Sequence, residues 1–256
     1  MRILDLKSLK ELSTEELNLL RKAQQSGTIH ISCEAEEMTQ VVHKKFKITC
    51  YTDFALPCSV LPNEPIRSRE NASELRVGIL GAPRTEKGRK RFSGIIKSLI
   101  EKKRSRQIDT PVTVVTQSVP LRAHPRTVYK STPLLFAKYT QRAVNVEILW
   151  GTQTNEEYRN ALFDLDCVLL PYTLERYATS GSGMILDAVN AGIPIVRSAG
   201  MAMSSYVAYG NCIDAVSDDD FAHAILDIAS KRDQFKIGAQ KARAAMSDRM
   251  ANLPFL

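Results

Sequence analysis

Residues 179–196 read TSGSGMILDAVNAGIPIV: a serine–glycine loop set directly before a run with helical spacing. Small residues leave backbone N–H groups unhindered, and the following helix turns its own unpaired N–H groups and positive dipole end the same way, so the arrangement suits an anion. Other segments add cations and a carboxylate. GAPRTEKG (81–88) carries Arg84 and Lys87, PYTLERYATSGSG (171–183) carries Arg176, and Asp187 lies one turn inside the run after the loop. A carboxylate there cannot serve a phosphate and suits ribose hydroxyls, or else it is a polar residue on an exposed helix side. Together these residues describe a nucleoside diphosphate. Amides of Ser180, Gly181, Ser182 and Gly183 would hold the diphosphate, one or two cations would neutralise it, Asp187 would take the ribose, and Gly151 and Thr152 would face the base. The spacing matches neither GxGxxG nor GxxxxGK[ST]; taken alone, Gly81 need only be a tight turn, and residues such as Arg84 and Lys87 are more often surface charges than ligands.

The elements that must position these groups follow from hydrophobic period. From about residue 75, short apolar strands alternate with helical segments, which predicts a doubly wound parallel sheet with helices on both faces. Six strands are read at 75–80, 111–116, 145–150, 166–172, 192–196 and 212–216. Helices are expected at 92–103, 133–142, 156–163, 184–190, 203–209 and 219–231, with one more at the C-terminus. Ser217 with Asp220 reads as an N-cap, and Gly192 as a C-cap. Residues 1–70 differ: Ser13 and Glu16 form a capping box for a helix reaching about Gln25, and GTIHISC and FKITCY read as strands around a helical EAEEMTQVVHKK. Polar, breaker-rich LPNEPIRSRENAS (61–73) reads as a linker, giving a small N-terminal α/β segment at 1–70 and a Rossmann-like domain at 71–256. In such a sheet, ligands bind beyond the carboxyl ends of the strands where the strand order reverses.

At 256 residues and 44% hydrophobic content the chain can bury a large core. The charged N-terminus and the lack of a long apolar run predict a cytoplasmic protein. Five cysteines without a CxxC pair read as reduced core thiols and suggest no metal site. A net charge of +7 favours anionic partners, and much of it lies in residues 84–106. No zinc-finger, RNP-like or helix-turn-helix pattern accompanies that charge, so nucleic acid is not the expected partner. A solvated helix face, or peripheral contact with the inner face of a membrane, remains open for it.

Three segments, in order, carry a resemblance. VGILGAPRTEKG resembles a G-R-x-x-x-x-K-G turn, VEILWGTQTNEEYRNALFDLDCVLLPY a v-x-f-x-G followed by a-D-v-x-l-x-P, and SGSGMILDAVNAGIPIV a G-x-v-x-x-E-A-x-a-x-G-x-P-V-V segment. These are similar to the C-terminal, sugar-nucleotide-binding Rossmann domain of group 1 (family four) glycosyltransferases with the two-domain GT-B architecture, over about two thirds of the chain. The resemblance implies a hexosyltransferase that moves a sugar from a UDP- or GDP-type donor with retention, without a metal or other cofactor. It implies that Lys87 binds phosphate, Ser180 to Gly183 form the diphosphate loop, Asp187 binds ribose, and Gly151 and Thr152 contact the base.

The sequence departs from the family at three places. Ala82 stands where an arginine follows the first glycine, leaving Arg84 or Arg176 to provide that charge. Thr179 replaces the first of two acids spaced eight apart. Residues 1–70 resemble only the last portion of the family's acceptor-binding domain, so His30 and His43 are poor candidates for its histidine, and a second chain carrying the acceptor half is an expected partner. A non-catalytic nucleotide- or sugar-phosphate-binding subunit would account for the same departures.

Overall fold

The computed structural model describes residues 2–3, 6–51, 74–82, 84–106, 110–118 and 144–251. The linker at 61–73 and the helix expected at 133–142 lie outside these residues.

The N-terminal elements are β1 (Arg2–Ile3), α1 (Lys7–Lys10), α2 (Thr14–Gln25), β2 (Ser32–Cys33) and α3 (Glu36–Phe46). The Ser13–Glu16 capping box is present in both directions. β1 pairs in parallel with β2, a pairing the sequence analysis did not anticipate. The strand expected in FKITCY shrinks to one bridge, Ser32 to Tyr51. Its shortening has a local cause. Lys47 ends α3 in the left-handed region, and the Gln24 side-chain amide takes both Thr49 N–H (3.2 Å) and Thr49 C=O, groups a ladder would need.

Six strands follow: β3 (Leu75–Ile79), β4 (Val112–Ser118), β5 (Val144–Trp150), β6 (Cys167–Leu170), β7 (Ile195–Ser198) and β8 (Cys212–Ala215). All pairs are parallel, in the spatial order β5-β4-β3-β6-β7-β8. The chain winds outward from β3 to β5 and then returns to the other side of β3, so the order reverses between β3 and β6. The helices of this part are α4 (Phe92–Arg106), α5 (Asn155–Phe163), α6 (Leu174–Tyr177), α7 (Gly183–Ala191), α8 (Asp218–Ser230) and α9 (Arg232–Ala251). The short α6 was not expected, and the helix expected at 203–209 is one 3-10 turn, Ser204–Tyr206, entered through Met203 at φ 70°.

Alternation along the strands sorts the core onto two faces. Cys167 and Leu169 pack with α4 and α8, whereas Val168 and Leu170 pack with α5, α7 and Met246 of α9. The second face also takes Ile31, Cys33, Met38, Val42 and Ile48, so the N-terminal segment shares one continuous apolar cluster with the sheet. Cys33, Cys50 and Cys167 are buried free thiols, and burial pushes the Cys212 thiol up to about 12. Cys58 lies outside the described residues.

Part of the basic charge at 84–106 is met within the fold. Arg91 pairs with Asp218 (2.8 Å), Lys102 with Asp219 (2.8 Å), and the Lys103 ammonium donates to Thr110 C=O (2.5 Å). Those aspartates open α8, where Ser217 and Asp220 close a full capping box. Ser217→Ala should lower stability by about 1 kcal/mol, read as a lower urea midpoint with an unchanged denaturant slope.

Candidate functional site

The site is built where β3 and β6 end side by side. After β3 the chain turns at Gly81 (φ 89°) and forms a 3-10 turn, Thr85–Lys87, which ends at Gly88 (φ 76°). Gly88 lies so close to the residue after β6 that a Cβ there would stand 1.9 Å from Pro171 O. Thr173 N–H donates to Glu86 C=O at 2.9 Å, and the two strand-end segments are tied backbone to backbone. This places the Lys87 ammonium over Gly81, 2.9 Å from where a Cβ of that glycine would be, and 5.8 Å from the centre of the Tyr172 ring. Glycine at 81 therefore serves both the turn and the space for the ammonium.

Arg84 and Arg176, from opposite sides of the switch point, converge on Glu86, whose carboxylate lies 3.9 Å and 3.7 Å from them. Burial, then the Arg84 charge, lower the Lys87 pKa below the ordinary lysine range, with Arg176 adding to the effect and Glu86 opposing it. Three cations around one carboxylate leave an excess of positive charge at the mouth of the crevice, the condition for binding a polyanion.

The serine–glycine loop reaches the same mouth. Ser182 is the N-cap of α7, without a side-chain cap bond, and is buried. The buried Tyr172 hydroxyl faces the Ser182 side chain, and its ring lies against Lys87. The loop differs from an open cradle in two respects. Ser182 N–H donates to the Met203 sulfur (3.0 Å), so this amide points into the protein. Gly181 is covered by Glu34, between β2 and α3, whose Oε2 lies 2.2 Å from where a Gly181 Cβ would be. The buried Glu34 thus brings a carboxylate to a loop whose own position 179 is threonine. Nearby, Glu37 accepts from Met203 N–H (3.0 Å) and Ser204 N–H (3.2 Å) and from the Ser204 hydroxyl. Burial acts to raise the Glu37 carboxyl, but these hydrogen bonds outweigh it and hold its pKa below the usual carboxylate range.

Asp187 is not on an exposed helix side. It is 4% exposed and accepts a hydrogen bond from the Tyr158 hydroxyl at 2.8 Å. Tyr158 belongs to α5, the helix that begins just beyond Gly151 and Thr152, behind a capping box of Thr154 and Glu157. The phenol therefore ties the carboxylate to the helix that follows the turn at Gly151 (φ 78°). A second link is the buried Gln117 at the end of β4: its side-chain oxygen accepts from Gly81 N–H (3.1 Å) and its nitrogen donates to Gly151 C=O (3.0 Å). Glu34, Gln117 and Tyr158 were not singled out from the sequence; each meets its partner across a crossover, and no local spacing announces it. His30 and His43 are exposed.

This combination, a six-stranded sheet of order 3-2-1-4-5-6 with cations and a glycine turn at its switch point, is a Rossmann-like doubly wound fold, one it shares with glycosyltransferases of known structure. Among solved structures, the chain is similar to Anabaena HepE in complex with UDP and glucose (TM-score 0.61, 15% identity, covering 97% of this chain and 66% of that one). It is similar to a glycosyltransferase from Rickettsia africae (TM-score 0.63, 11% identity, 93% and 63%) and to TarM (TM-score 0.60, 15% identity, 92% and 43%). At these identities the likeness is one of fold. No protein-family model and no curated protein matches the sequence. The chain spans 66% or less of the length of these three relatives.

Proposed function

We propose that the chain binds a nucleoside-diphosphate sugar and takes part in transferring its sugar to an acceptor. The observation that carries this reading is the lodging of Lys87 over Gly81 at the switch point, flanked by Arg84 and Arg176. In the transfer, the bond between the anomeric carbon and the diphosphate oxygen breaks, the acceptor hydroxyl oxygen bonds to that carbon, and its proton is released. Negative charge grows on the departing diphosphate, so fixed cations and N–H donors aimed at it favour the transition state over the ground state. Lys87 and Arg84 are the residues we assign to that charge, with Arg176 beside them. Gly181, Gly183, Ser180 and Thr179 would line the diphosphate and sugar, Asp187 the ribose, and Gly151 and Thr152 the base.

By resemblance we assign a UDP- or GDP-type donor, a hexose, retention of configuration and side-chain cations in place of a metal. The acceptor side is assigned to a partner chain or a further segment. We place the activity in the cytoplasm, with the exposed Lys90, Lys97 and Arg104 as the surface for peripheral membrane contact. No helix among the described residues is long and apolar enough to cross a membrane.

Calorimetric titration with UDP, GDP and ADP tests the reading: at least one should bind with micromolar to millimolar affinity, about −8 to −4 kcal/mol. Absence of binding by all three overturns it. Release of sugar from UDP- or GDP-sugars then separates transferase from binding subunit. The Glu34 carboxylate packed on Gly181 favours the second, because it brings negative charge to the loop assigned to phosphate. Asp187→Asn keeps an acceptor for Tyr158 but loses the charge, and should weaken binding of the ribonucleotide about tenfold. Binding of the 2′,3′-dideoxy analogue should be unchanged; an equal loss for both would remove Asp187 from the ribose.

A further inference from the structure

Beyond Ile79, β3 leaves the ladder it shares with β4, whose last pair is Ile79 with Thr116. On the other side, β4 and β5 stay paired as far as Ser118 and Trp150. Gly81 and Gly151 thus lie just past the ends of the two ladders that flank β4, and the Gln117 side chain reaches both. One end of its amide accepts from Gly81 N–H and the other donates to Gly151 C=O. A Cβ at Gly151 would meet nothing within 4 Å among the described residues, whereas one at Gly81 would meet the Lys87 ammonium.

Resting on the nucleotide reading above, we propose that Gln117 is a positioning residue: it fixes the separation between the phosphate-side turn at Gly81 and the base-side turn at Gly151. It therefore sets affinity for an intact nucleoside diphosphate rather than for either end alone. A ligand that touches both turns gains from their being held at the right distance beforehand, because the cost of ordering them is not taken from its binding energy. A ligand that touches one turn gains nothing from the link.

The chain carrying Gln117→Met, which keeps length and removes both hydrogen-bonding ends, is titrated with UDP (or GDP, whichever the parent binds), the matching nucleoside and inorganic diphosphate. The nucleoside diphosphate should bind about tenfold more weakly, while each fragment changes by less than about twofold. Gln117→Glu supplies a second readout and serves if the methionine variant does not fold. Its carboxyl still accepts from Gly81, but when ionised it opposes the Gly151 carbonyl, and when protonated it donates to it. Its affinity relative to the parent should therefore recover as pH falls through the carboxyl pKa. An equal loss for the nucleotide and both fragments, or no loss and no pH dependence, overturns the proposal while the nucleotide reading stands. A parent that binds no nucleoside diphosphate overturns both.

Discussion

Lys87→Ala should weaken nucleoside-diphosphate binding by about 100-fold, near 3 kcal/mol, while leaving the unfolding temperature no lower than the parent's. The two effects have one origin. Lys87 sits in a place that disfavours its charge, through burial first and then through the Arg84 and Arg176 guanidinium groups. Its pKa is lower in the folded than in the unfolded chain, so the folded state binds fewer protons between those two values. Stability at this site therefore rises with pH through that window, and below it the charged lysine costs stability. Removing the ammonium relieves that cost and loses a charge-assisted contact with the diphosphate. The same lowering makes the parent's binding decline with alkali sooner than an ordinary lysine, at 10.5, would cause. Calorimetry across pH together with thermal unfolding checks both halves. A variant that binds like the parent but melts earlier would make Lys87 a structural strut.

Gly88→Ala should be the most damaging small substitution at the site, costing about 4 kcal/mol or more. Two effects combine. A φ of 76° is strained for alanine, and its Cβ would stand 1.9 Å from Pro171 O and 2.7 Å from its carbonyl carbon, backbone atoms that cannot rotate away. Relief requires the two strand-end segments to part, with loss of the Thr173 to Glu86 hydrogen bond and of the ammonium's position over Gly81. Gly151→Ala is the control: its φ of 78° is similar, but nothing lies within 4 Å of the added carbon. It should cost about 1–2 kcal/mol. Urea unfolding of the pair measures the difference, and equal costs would show that conformation alone, not the contact with Pro171, makes glycine necessary.

The six-stranded sheet is legible in the amino-acid sequence. Apolar strands spaced by helical segments specified six parallel strands covered on both faces, and the capping residues Ser13, Ser217 and Gly192 marked helix ends, because period and capping act over a few residues. The sequence also marked Arg84, Lys87 and Arg176 as cations at strand ends. The weak N-terminal strands were harder to read, since a side chain such as Gln24 can take the hydrogen bonds a ladder needs. The folded chain alone reveals how those cations meet around Glu86, that Asp187 is buried against Tyr158, and that Glu34 and Gln117 reach the turns around the crevice. The reason is topological: Gln117 meets its two turns along the β5-β4-β3 half of the sheet, Arg176 meets Glu86 only once the chain has returned past β3, and a crossover leaves no trace in the spacing of the residues it joins.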